Sequence, residues 1–200
     1  MNILLDILGS IVTGGMVLLI HFGLISRMNN VSTDLLLSNI NANDAVEVTK
    51  IIENDVYKIG YRDTTQIIFE SAQQYAVQFK AATNVDSLPK SIYYYTGTTS
   101  QMTGTKNPND KPLFRQIIGQ NAIMVGVVRD FNLTYLDSAG NTLNYAYLTT
   151  QVQRNQIQGL TILLKVESSA TVLKDEKSQT KNDVYPFVEW RKTIYPKNTP

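Results

Sequence analysis

The chain has 200 residues, in which 18 Lys and Arg nearly balance 17 Asp and Glu, so its formal net charge is +1. A charge this close to zero provides no electrostatic attraction to nucleic acid or to anionic lipid, and nucleic acid is not expected as a partner. The chain has no cysteine, which excludes disulfides, thiolate chemistry and cysteine-ligated metal sites.

The first stretch, residues 3–25, is apolar on all sides of a helix and holds one carboxylate, Asp6, and the only histidine, His21. As a helix it is about 34 Å long, enough to cross the ~30 Å hydrocarbon core of a bilayer. No basic residue precedes it and no small-residue cleavage site follows it, unlike in a secretory signal peptide. We therefore predict a transmembrane helix over residues 1–26 that stays attached to the chain. For His21, a neutral side chain near the interface is a simpler interpretation than a functional ionisable group.

From residue 27 the sequence becomes more polar, and from residue 43 apolar residues recur at spacings of three and four, which predicts an amphipathic helix ending at Gly60. Residues 27–60 are thus predicted to continue the first helix. A capping-box pattern at Asp44 and Glu47 leaves open a break near residues 39–43, with two helices in line instead of one. The apolar positions, called the seam below, are Ala45, Val48, Ile52, Val56 and Ile59.

After Gly60 the pattern changes to alternation of apolar and polar residues, which is typical of half-buried strands. Polar turns separate the strand-like stretches, and residues 168–182 are predicted to be a loop. The strand-like stretches are residues 67–69, 75–79, 92–95, 113–118, 122–136 (one long strand or two), 160–166 and 184–195. Helices followed by strands in series predict an α+β fold, in which the seam packs on an antiparallel β-sheet domain formed by residues 61–200.

Little in the sequence points to catalysis. One histidine and no cysteine exclude a Ser-His-Asp triad away from the span and the common zinc motifs, and no glycine-rich phosphate loop is present. Asp137 and Asn141 are candidate Ca²⁺ ligands through oxygen, but a hairpin turn is the preferred interpretation of this segment, and likewise of residues 107–110. We expect no enzymatic activity, no metal, no cofactor and no small-molecule substrate.

Five segments in the second half of the helix and in the sheet region follow one another in a familiar order and spacing. They are Asp55-Val-Tyr-Lys-Ile-Gly-Tyr-Arg62, Ile67-Ile-Phe-Glu70, Leu113-Phe-Arg115, the block from Val127 to Gly140, and the strand from Gln156 to Leu164. Together with an apolar first helix that carries an acidic residue near its start, they resemble type IV pilins. The closest resemblance is to W-type minor pilins and to J-type minor pseudopilins of type II secretion.

The resemblance implies a pilin-like fold and a structural role as a minor subunit that caps or starts a filament. The implied partners are other pilin-like subunits and, before assembly, the lipid bilayer. It also implies a single-pass protein of the bacterial inner membrane, with the sheet domain outside the cytoplasm and an extracellular filament after assembly. Asp6 is then an assembly residue that pairs with a positive charge on another subunit. The alternative is a monomeric membrane-tethered extracytoplasmic binding module that does not assemble.

Overall fold

The computed structural model describes residues 3–63, 65, 67–82, 88–169 and 185–198. The chain begins with one helix, α1 (Ile3–Val56), which is about 81 Å long at 1.5 Å per residue. Of the two arrangements that the sequence leaves open, the single helix is found, because neither Pro nor Gly interrupts residues 24–59.

The helix ends earlier than its pattern predicts, and the last seam residue, Ile59, lies in the turn that follows it. Gly60 has a φ of +70°, a left-handed conformation that favours glycine. Its N–H donates a hydrogen bond to the Lys80 carbonyl (2.9 Å), and Ile59 forms a bridge with Ala81. The end of α1 is therefore fastened to a strand of the first sheet.

The first sheet is an antiparallel meander of five strands, each paired with the next in the chain. The strands are β1 (Phe69–Ala72), β2 (Ala76–Ala81), β3 (Lys90–Thr96), β4 (Lys111–Ile117) and β5 (Ile123–Val128). A 3₁₀ turn (Thr99–Gln101) lies between β3 and β4.

The second sheet has four antiparallel strands in the order β7-β6-β8-β9. These are β6 (Asp130–Leu136), β7 (Thr142–Leu143), β8 (Gly159–Glu167) and β9 (Phe187–Ile194). A 3₁₀ turn (Tyr145–Tyr147) and a short helix, α2 (Gln151–Arg154), connect β7 to β8. Most of the predicted loop, residues 170–182, lies outside the described residues, as does Val184 at the start of the last predicted strand.

The prediction of one sheet is wrong, because residues 122–136 divide into two strands that belong to different sheets. The chain passes from β5 to β6 at Arg129, whose N–H donates to the carbonyl of Lys165 in β8 (2.8 Å). From that point the strand pairs with β8 and no longer with β4.

The core lies where α1 meets both sheets, and the alternating residues of β6 and β8 fill much of it, whereas Tyr75, at the start of the predicted strand 75–79, is exposed and precedes β2. In β6 and β8 the pairs Phe131–Leu164, Leu133–Ile162 and Tyr135–Leu160 face each other in register and are buried. α1 contacts β5, β8 and β9. One long apolar amino-terminal helix with antiparallel sheets confirms the α+β class.

Candidate functional site

The amino-terminal half of α1 has no part in the core. Among the described residues, α1 is the one helix long and apolar enough to span a membrane, and none of its apolar stretch is buried. Two of its polar side chains bond to the helix itself: Ser10 Oγ donates to the Asp6 carbonyl (2.7 Å) and Thr13 Oγ1 to the Gly9 carbonyl (2.8 Å). Such internal bonds suit a helix in lipid, where water is absent.

The two ionisable side chains of this stretch are also exposed. Asp6 lies in the first turn of α1, beside Ile3, Ile7 and Ser10, and His21 lies one turn before the end of the apolar stretch. The single chain therefore provides neither with a buried environment.

Exposed apolar side chains continue beyond the predicted span, along residues 26–40, called the stalk below. The first buried residue of α1, among those described, is Asn41, whose Nδ2 donates to the carbonyl of Pro186 (3.3 Å). The stalk before it is helical, yet it exposes five large apolar side chains by 54–71%: Met28, Val31, Leu35, Leu36 and Ile40. No part of the described chain buries these side chains.

The seam begins where the stalk ends, and all five of its residues are at most 4% exposed. Val48 lies so close to β5 that a side chain on Gly126 would collide with it. Lys192 of β9 adds an ion pair with Glu53 of α1 at 2.7 Å. The sheets therefore hold the carboxyl-terminal part of α1 and leave the rest of the helix free of contact with them.

A buried polar network, called the clamp below, joins the end of α1 to the first sheet. The Oδ2 atom of Asp55 accepts hydrogen bonds from the Tyr94 hydroxyl of β3 (2.7 Å) and from Nε of Arg115 in β4 (2.5 Å). Burial and the Asp55 carboxylate raise the pKa of the Tyr94 hydroxyl far above its ordinary value, so it stays a donor. Burial of the Arg115 guanidinium opposes its charge, but Asp55 outweighs this and raises the pKa of Arg115.

The clamp joins two of the five sequence segments that begin with Asp55-Val-Tyr-Lys-Ile-Gly-Tyr-Arg62, since Asp55 begins the first and Arg115 ends the third. Sequence reasoning did not predict their contact. The available signal was helical spacing, because Asp55 is three residues after Ile52 and four before Ile59, on the buried side of α1. A carboxylate at such a position requires a charged or hydrogen-bonding partner.

A second polar site is a cleft of about 360 Å³ between α1, β5, the end of β8 and the loop before β4. We call it the acidic cleft because four carboxylates line it: Asp44, Glu47, Asp110 and Glu167. Asp44 and Glu47 are exposed on α1, whereas Asp110 and Glu167 are buried. No Lys, Arg or His is among the described residues that line it.

The two buried carboxylates of the acidic cleft differ in how well they are compensated. Glu167 pairs with Arg129 and accepts hydrogen bonds from Nδ2 of Asn107 (3.2 Å) and of Asn109 (3.1 Å). Burial opposes its ionisation, but these bonds prevail and lower the pKa of Glu167. Its part in holding the 107–110 turn was not predicted; its one signal in the sequence is a carboxylate at the end of an apolar strand.

Asp110 is 2% exposed, and within the described part of the chain its Oδ1 atom accepts no hydrogen bond. Burial raises the pKa of Asp110 and the neighbouring Glu167 raises it further, whereas a hydrogen bond from Thr105 acts in the opposite direction. Buried carboxylates normally have partners for both oxygens. The acidic cleft therefore contains one carboxylate that the described residues leave without full compensation.

Changing Asp110 to Asn is expected to stabilise the protein at about pH 7.5. Because folding raises the pKa of Asp110, its ionisation weakens the fold as pH rises through the folded-state pKa. Removing the charge should raise the free energy of unfolding by about 1 kcal/mol at about pH 7.5, and the gain should disappear below the ordinary aspartate pKa of about 4. Urea unfolding followed by Trp190 fluorescence measures this at about pH 7.5 and at a pH below about 4, with Asp44→Asn as the exposed control. A loss of stability at about pH 7.5 would contradict it.

The Ca²⁺ candidates Asp137 and Asn141 form a turn, in keeping with the preferred interpretation of this segment. Asp137 Oδ1 accepts the N–H groups of Ala139 (2.9 Å) and Asn141 (2.8 Å), and Oδ2 accepts Asn141 Nδ2 (3.1 Å). These hydrogen bonds, above all those from Asn141, lower the pKa of Asp137. The carboxylate is thus occupied by the β6–β7 hairpin. Among the described residues, no group of three or more Asp, Glu or His side chains is placed to hold a metal ion.

Comparison with known proteins adds no relative: the chain matches no protein-family model, no curated protein and no solved structure.

Proposed function

We propose that the protein is a membrane-anchored, pilin-like structural subunit that assembles with other pilin-like subunits. In this proposal it is a minor component of a type IV pilus or of a type II secretion pseudopilus. Its apolar helix rests in the bacterial inner membrane before assembly, with the sheets outside the cytoplasm. The observation that carries the proposal is the uncovered apolar surface of the stalk.

The stalk favours assembly over a monomeric tether. Residues 3–25 account for a bilayer core, and the first buried residue of α1 among those described is Asn41, so about 22 Å of helix lies between them. A monomer would hold the apolar stalk side chains in water. Contiguous exposed apolar surface of this kind is typical of protein–protein contact.

The spacing of the stalk side chains suits a neighbouring helix. Leu24, Met28, Val31 and Leu35 follow one another at four, three and four residues, the a/d spacing of helices that pack side by side. At 100° per residue this row, called the stripe below, lies roughly 90° around the helix from the face that holds the seam. A second helix can therefore pack on the stripe without displacing the sheets.

Single cysteines on the stripe are expected to cross-link to other subunits. The chain has no native cysteine, so Leu35→Cys and Val31→Cys each provide a unique thiol. Thr33→Cys is the matched control, because Thr33 is also exposed but lies on roughly the opposite side of the stalk. In the native membrane, a short bismaleimide should link the two stripe variants to pilin-like subunits several times more efficiently than the control. If the three positions give equal yields of product linked to other subunits, or if no linked product forms, the monomeric binding module would be favoured.

Asp6 is expected to affect assembly and not folding, because it is exposed and far from the core. In a bundle of anchors its carboxylate needs a positive partner, and the α-amino group of an adjacent subunit has the required charge. Asp6→Ala should keep the protein in the membrane and leave the unfolding of the sheets unchanged, but reduce cross-linking through Leu35→Cys. Asp6→Glu should retain most of the cross-linking. Asp34→Ala, which removes a carboxylate from the stalk, is the control. Cross-linking of Asp6→Ala at the wild-type level would show that this charge has no part in assembly.

A further inference from the structure

The acidic cleft is not explained by anchoring or by contact along the stripe. We propose that it is a docking pocket for one basic side chain, lysine or arginine, supplied by a neighbouring protein. This inference rests on the proposed function only for the identity of the neighbour, since the pocket itself belongs to the single chain.

The charge of the cleft requires a cation. Of its two buried carboxylates, Glu167 has Arg129 as its partner, but Asp110 is 2% exposed and its Oδ1 accepts no hydrogen bond from any described residue. Asp44 and Glu47 add two more negative charges at the exposed side, on α1. A carboxylate that is buried without a partner is unfavourable for folding, and a cation that the described residues do not supply removes this deficit.

The walls of the cleft favour a side chain over a bare ion. Val48 of α1 and Val125, Val127 and Val166 of the sheets are apolar, while the carboxylates and the Thr105 hydroxyl supply oxygen atoms. Lysine and arginine combine an apolar stem with a charged head, which matches this division. The described carboxylates do not form the group of three or more that a metal ion would favour, so a divalent cation is the weaker candidate.

The position of the cleft also fits a contact made during assembly. Its α1 wall includes Leu37 and Ile40 at the end of the stalk. At 100° per residue, the α1 residues of the cleft lie on roughly the opposite side of the helix from the stripe, so the two surfaces are free to contact two different neighbours. A neighbour on the cleft side is able to insert a basic side chain there and to fix the register between two subunits through one charged pair.

The test is a titration of the full-length chain in neutral detergent micelles at about pH 7.5, which requires no assembly. The probe is Nα-acetyl-L-arginine methylamide, and the control ligand is the citrulline analogue, which has the same shape without the charge. The arginine probe should shift the side-chain carboxyl ¹³C signal of Asp110 in a saturable manner, and the citrulline probe should not. Isothermal titration calorimetry measures the affinity of each variant, and Asp110→Asn should weaken binding at least about tenfold, as expected for the loss of a charged hydrogen-bond partner.

A second variant keeps the test independent of any effect of residue 110 on folding. Glu47→Gln, at the exposed side of the cleft, should weaken binding several-fold, whereas Asp34→Asn on the same helix should leave it unchanged. Equal binding of both probes, or no shift with either, would overturn the proposal. A saturable shift of the Asp110 signal with CaCl₂ alone, together with calorimetric Ca²⁺ binding that Asp110→Asn abolishes, would replace the proposal with a divalent-cation site. If the stripe variants do not cross-link but the arginine probe still binds, the proposed assembly is refuted and the docking pocket stands.

Discussion

Replacement of Ile52 by Asp is expected to prevent the sheets from folding against α1. Ile52 is 1% exposed and lies in the middle of the seam. A carboxylate at this position is buried without a partner, and its desolvation amounts to several kcal/mol in addition to the lost apolar contacts. Domains are stable by only about 5–15 kcal/mol, so this one change removes most or all of the margin. Ile52→Ala, which leaves a cavity but no charge, should lower the free energy of unfolding by about 2–5 kcal/mol.

Trp190 provides the measurement, because it is the only tryptophan and lies in β9, partly buried against the core. Urea unfolding of the full-length protein in detergent, followed by its fluorescence, reports on the sheets and not on the apolar half of α1. Val46→Asp is the matched control, since Val46 lies on the same helix but is 48% exposed. If Ile52→Asp unfolds in the same urea range as Val46→Asp, the seam is not the surface that holds the helix on the sheets.

The sequence predicts well those elements in which regularly spaced apolar residues all lie on one buried face. The seam repeats every three to four residues, and its five members are buried. β6 and β8 alternate between inward and outward residues along most of their length, and their inward residues, such as Leu133 and Ile162, face each other in the core. In both cases local spacing alone determines which side chains turn inward.

What the sequence does not predict depends on contacts between distant residues. The division of residues 122–136 at Arg129 is determined by pairing with β8, about 36 residues further along the chain. Asp110 and Glu167 meet in the acidic cleft only because the loop before β4 and the end of β8 come together beside α1. The same holds for the clamp, whose Asp55 and Arg115 lie sixty residues apart. The amino-acid composition does not indicate which distant residues come into contact.

The clamp leads to the second large expected effect: Arg115→Met should lower the free energy of unfolding by about 3–5 kcal/mol. Arg115 is the only cation that pairs with Asp55 among the described residues, and the Asp55 side chain is 5% exposed. Methionine preserves most of the volume of the side chain but removes the charge, so the carboxylate stays buried with only the Tyr94 hydroxyl as a partner. Removing one member of a buried ion pair has this large effect because the other charge remains desolvated.

Two further variants separate the charge from the packing. Asp55→Asn combined with Arg115→Met removes both charges and keeps a hydrogen-bonding partner for Tyr94, so the double variant should be more stable than Arg115→Met alone. Lys192→Met breaks the more exposed pair between β9 and Glu53 and should change stability by about 1 kcal/mol or less. Urea unfolding monitored at Trp190 compares all of them. If Arg115→Met has no larger effect than Lys192→Met, or if the double variant is the least stable, the uncompensated charge of Asp55 is not what makes the clamp necessary.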